Sequence, residues 1–95
     1  MKCYHDTKSK KQFGHIITLM PKKFDSHQFI LKLAELNQAE YIRSLHAYVN
    51  TDAPFRTLHA HIAKTLKQDP NLTHAGFHNS PNIFGITGEN ALWEK

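Results

Sequence analysis

Residues 54–68 admit only one local structure. Phe55, Leu58, Ile62 and Leu66 recur at three- and four-residue spacing, and at about 100° per residue they form a single apolar stripe. Pro54 is tolerated in a first helical turn, and Asp69-Pro70-Asn71 stops the helix. The opposite face carries Arg56, Thr57, Ala60, Lys64 and Lys67. Such a helix is stable only when its stripe is covered, so the rest of the chain must supply a layer to lie against it.

Downstream, two short apolar runs at 72–77 and 83–86 flank Asn79-Ser80-Pro81-Asn82, which predicts a hairpin with its turn over 79–82. Gly85 is read there as a bulge or a small strand position. Ala91, Leu92 and Trp93 then form a terminal plug against the core.

Upstream, residues 12–20 hold Phe13, Ile16, Ile17, Leu19 and Met20 and end at Pro21. Short length and β-branched content predict a strand. Asp25 with Gln28 three residues on, and Phe24 placed to staple Phe29, predict a helix start. Phe29, Ile30, Leu33 and Leu36 then share a face. Asn37 with Glu40 repeats the start signature, which splits the region into two helices. In the second of these, Tyr41, Ile42, Leu45, Tyr48 and Val49 are the buried stripe, and residues 50–54 end it.

At 95 residues and 40% apolar content the chain is one small domain of α+β class: one N-terminal strand, three helices and a C-terminal β-hairpin. The domain occupies 12–95, behind a flexible basic tail over 1–11 that contains Lys10 and Lys11. A single cysteine, Cys3, excludes an internal disulfide framework and points to a reduced, cytoplasmic setting. No apolar run approaches the roughly 18 residues of a membrane span.

Charge is unevenly placed. The net charge is +4. Residues 1–23 carry +5, 24–53 carry −2, 54–68 carry +3 with no acid, and 69–95 carry −2. Positive charge on the tail and on one helix fits contact with a polyanion. An arginine and two lysines around Thr57 and small Ala60 are the mixture a helix needs to enter a DNA groove: cations for affinity and little bulk at the centre.

From Asn37 to Glu94, two capped helices, the string Ile62-Ala63-Lys64-Thr65-Leu66 and an apolar hairpin closing on Phe84-Gly85-Ile86 resemble the winged helix-turn-helix superfamily. The resemblance implies that the helix over 54–68 reads DNA while the hairpin flanks it as a wing, in a regulatory role. The residues expected to contact nucleic acid, from charge and helix face, are Arg56, Thr57, Ala60, His61, Lys64 and Lys67, with Lys10 and Lys11 of the tail. Two departures are visible: the inter-helix connection lacks glycine, and residues 79–82 carry no Arg or Lys.

Eight histidines raise the question of a metal. His59 and His61 lie about 200° apart on a helix. On a strand His74 and His78 point the same way but stand about 13 Å apart. Neither pair chelates alone, so no metal and no cofactor is expected, and His59 reads as a boundary residue with a hydrogen bond. Cys3 has no base near it and is read as incidental; no catalytic residue is assigned. Two alternatives to DNA binding follow from composition. One is a protein–protein module or inhibitor of phage or plasmid type, using Tyr4, Tyr41, Tyr48, Phe77, Phe84 and Trp93, with a homodimer through the first strand or the Trp93 segment. The other is a small endoribonuclease with His61, Arg56 and Lys64 as base and phosphate clamp.

Overall fold

The computed structural model describes residues 7–95, with side chains from Lys11 onward. The elements run α1 (Thr7–Leu19), β1 (Lys23–Asp25), α2 (Ser26–Leu36), α3 (Gln38–His46), α4 (Pro54–Lys67), β2 (Thr73–Pro81) and β3 (Thr87–Glu94). The strands form one antiparallel sheet in the order β1-β3-β2. The fold is α+β, with the helices packed around a core that the sheet closes.

The N-terminal strand expected over 12–20 is instead the body of α1. Phe13, Ile16 and Met20 are spaced three and four apart, and all three are buried. Helical periodicity therefore outweighs the β-branched pair Ile16-Ile17. The helix begins at Thr7 and so takes in Lys8, Lys10 and Lys11; residues 1–6 lie outside the described residues. The first strand is the short β1, in register with the end of β3: Phe24 faces Trp93 and Asp25 faces Leu92.

The start of α2 is built as its residues dictate. The Asp25 carboxylate accepts from the Gln28 amide at 2.7 Å, and the Asp25 amide donates to Gln28 Oε1 at 2.9 Å, closing a capping box. Phe24 and Phe29 stack at 6.2 Å, and Phe13 meets Phe29 at 5.0 Å. The break between α2 and α3 falls at Asn37, whose carbonyl receives the Tyr41 amide. Its side chain makes no cap, and Glu40 pairs with Arg43 at 3.6 Å instead. In α3 the buried face is Tyr41 and Ser44, with Leu45 partly covered and Ile42 exposed; α3 ends at His46, and in the turn beyond it Tyr48 is partly covered and Val49 exposed. Ile42 sits one residue, about 100°, off that face. Leu36 is likewise exposed at the end of α2.

In α4 the expected stripe is the heart of the core. Leu58, Ile62 and Leu66 are fully buried, packed in one cluster with Phe24, Phe29, Leu33 and Trp93. Phe55, one turn earlier, projects beyond the core. It meets Phe84 edge-on, with ring centroids 4.9 Å apart.

The hairpin forms with a different turn. β2 continues through Ser80 and Pro81, and the reversal lies at 82–86. Asn82 Oδ1 accepts from the amides of Phe84 and Ile86, and Gly85 takes a positive φ of 78°. Residues 83–86 are thus the turn rather than a strand. Trp93 packs on the core as expected, but within the central strand β3. Its indole N–H donates to buried Ser26 at 2.9 Å.

Candidate nucleic-acid interface

Two surfaces define the site: the uncovered side of α4, and the face of the hairpin opposite it. On α4, Arg56, Ala60, Lys64 and Lys67 are all exposed and fall within about 80° of one another around the helix axis. Ala63 lies at the edge of the same sector. Of the residues expected here, these four come together. Thr57 is half-buried, and its hydroxyl donates to the Ala53 carbonyl at 3.0 Å, which engages it in the first turn. His61 turns toward the α3–α4 connection, its ring 6.5 Å from that of Tyr48. Lys11 is exposed on α1, which packs on α2, and the Lys10 side chain lies outside the described residues.

A groove separates α4 from the hairpin. Its wider part, about 690 Å³, runs between Phe55, Arg56 and Ala60 on one side and Phe77, Phe84 and Glu89 on the other. His27 and His59 border it. A narrower part of about 290 Å³ continues toward the C-terminal end of α4, between Lys64 and Lys67 and the pair His74 and Trp93. Ala63, Phe77 and Ala91 line both parts, so the groove extends along most of the helix. Small alanines form its floor and aromatic rings its walls.

The exposure of the aromatic rings is a finding that periodicity did not disclose. Phe77 is 63% exposed and Phe84 56%. Phe77 is turned to this face by a bulge. Between His74 and Phe77 the register with β3 shifts, with Gly76 at φ 105°. The extra residue changes the side-chain phase, so His74 and His78 do not project together as a regular strand would require. His74 packs against Phe77 and Trp93, with ring centroids at 4.8 and 5.3 Å. His78 instead reaches Asp25 on the far side.

That far side holds the hairpin in place. His78 Nε2 lies 2.7 Å from Asp25 Oδ2. The His27 amide donates to Asn90 Oδ1 at 2.9 Å, and Asn90 Nδ2 donates to Ser80 Oγ at 3.0 Å. His27 Nδ1 lies 3.0 Å from the Ser80 carbonyl. With the Trp93–Ser26 bond, the first residues of α2 grip both strands of the hairpin. Burial works to raise the Asp25 carboxyl pKa. The Gln28 amide, the Ser80 and His78 hydrogen bonds and the His78 charge outweigh it, and hold the carboxyl below its usual value.

His59 lies at the junction of α4 and α3, its Nε2 2.6 Å from the Tyr41 hydroxyl. Burial, and secondarily the charge on His27, push its imidazole down to about 4. At neutral pH the ring is therefore uncharged and can accept the Tyr41 hydroxyl proton. This is the hydrogen-bonded boundary role its position in the sequence predicts. Among the described residues no three His, Cys, Asp or Glu side chains converge to hold a metal ion, and no helix is long and apolar enough to cross a membrane.

No family model, curated protein or solved structure matches this chain.

Proposed function

We propose that the protein is a small DNA-binding module of winged-helix type. In this reading α4 lies against the nucleic acid and the β2–β3 hairpin flanks it. One observation carries the reading: Arg56, Lys64 and Lys67 share an exposed sector of α4 with small Ala60, on a helix without an acidic residue. Cations on one face neutralise phosphates, and the absence of bulk between them lets backbone approach backbone. The order of elements supports it: a helix and a short strand, then helices, then a hairpin whose last strand pairs centrally. The turn at 82–86 contains no Lys or Arg, so phosphate contact falls to α4.

Titration of a labelled duplex at several salt concentrations tests this. Three to four phosphate contacts give a log–log slope of about −2.7 to −3.6. Weak binding with a flat salt response removes duplex DNA as the partner. A second reading, a protein-interaction module, is favoured by the exposed rings of Phe77 and Phe84 and would be promoted by that result.

A further inference from the structure

The groove beside α4 has a composition that duplex reading does not use. A helix laid into a major groove needs cations and small residues on its crest. It does not need an aromatic-walled trough between itself and the hairpin. Here Phe55 and Phe84 stand at one end, Phe77 at the middle and His74 beyond it, along a floor of alanines. Arg56 borders the wide end, and Lys64 and Lys67 border the narrow end.

We propose that this groove takes a single-stranded segment of DNA, its unstacked bases lying against Phe77 and Phe84 and its phosphates following Arg56, Lys64 and Lys67. The proposal rests on the DNA-binding reading of α4 and names the form of DNA that the same surface accepts.

Three features argue for this occupant over an apolar peptide. The first is charge: α4 carries three cations and no acid along the whole groove, which suits a polyanion running parallel to the helix. The second is that the rings are exposed and separated. Phe77 meets His74 and Phe84 meets Phe55, yet both rings stay more than half exposed, and an exposed ring accepts a stacked base whatever its identity. The third concerns Glu89, the one acid lining the groove among the described residues. A carboxylate beside a stacked base can accept from the exocyclic amine of cytosine or adenine.

The hairpin is also rigid enough to serve as a stacking wall. Asn82 ties the turn, while Asp25, Ser26 and His27 tie both strands to the start of α2. The strands that carry the rings are therefore set before binding, which lowers the ordering cost.

The test compares a short labelled single strand of mixed sequence with the same sequence as a duplex, by fluorescence anisotropy on the whole chain. The single strand should bind more tightly than the duplex. Phe77→Ala and Phe84→Ala should each weaken single-strand binding about five- to a hundredfold, while Phe77→Trp retains it. Phe77 pairs with Ala91 and packs on His74, outside the turn over 82–86, so Phe77→Ala decides the matter if Phe84→Ala disturbs folding through Phe55. Duplex binding without single-strand binding overturns this proposal and leaves the reading of α4 standing. So does single-strand binding that neither phenylalanine affects. Binding to neither form overturns both, and a protein ligand is then the occupant to seek.

Discussion

Asp25 Oδ2 lies 2.7 Å from His78 Nε2, joining the residue that caps α2 to a residue 53 positions later on the hairpin. Asp25 is 2% exposed and serves two structures at once: its other oxygen holds the first turn of α2, and this one anchors β2. The orientation of the hairpin relative to the helices therefore rests partly on this carboxylate, beside the Ser26–Trp93 and His27–Asn90 hydrogen bonds.

Asp25→Ala should lower stability by about 1–3 kcal/mol, because it removes both the cap of α2 and the anchor of His78. His78→Ala, which opens only the partly exposed end of the pair, should cost less. Denaturant melts of the two variants check the order; an equal or reversed order would mean that the cap contributes little.

The same carboxylate sets the acid limit. Its folded pKa lies below the unfolded value of 3.8, so its contribution is complete above 3.8 and is lost as pH falls through the folded value. His59 acts in a higher window. Its folded pKa of about 4 lies below the ordinary 6.5, so the unfolded chain takes up the proton first. Stability should fall as pH drops from about 6.5 toward 4. His59→Gln should flatten that part of the profile while leaving the decline below pH 4. Melting temperature against pH for both proteins is the measurement.

Helix α4 was legible in the sequence because three fully buried residues and three exposed cations alternate on a strict helical period. The start of α2 was legible because Asp25 and Gln28 are a local signature. Other features are set by partners distant in sequence. Phe13, Ile16 and Met20 lie at helical spacing, but the short window and the β-branched pair Ile16-Ile17 read as a strand, and it is packing on Phe29 and the rest of the core that favours the helix. The turn moved to 82–86 because Asn82 can bind two amides of that loop. The grip of Ser26 and His27 on Trp93, Asn90 and Ser80 spans 53 to 67 residues and has no local pattern. Within the site, the cations were readable from spacing. The aromatic wall was not, since a bulge at Gly76 alters the phase of β2.

Two isoleucines read alike in sequence should respond differently. Ile62 is 0% exposed and Ile42 is 62% exposed. Ile62→Ala should cost about 2–5 kcal/mol, and Ile42→Ala should stay within about 0.5 kcal/mol. Comparable losses in urea melts would contradict the assignment of the α3 face.

The central claim is that the exposed sector of α4 contacts DNA and does not support the fold. It is tested by one protein, Arg56→Ala with Lys64→Ala and Lys67→Ala, assayed for melting and for DNA binding in parallel. The melting temperature should stay close to that of the parent, since exposed charges contribute little to stability. Affinity should fall well over tenfold, with a flatter salt dependence, because three phosphate contacts are gone. A variant that binds DNA as tightly as the parent, with unchanged salt dependence, would contradict the account.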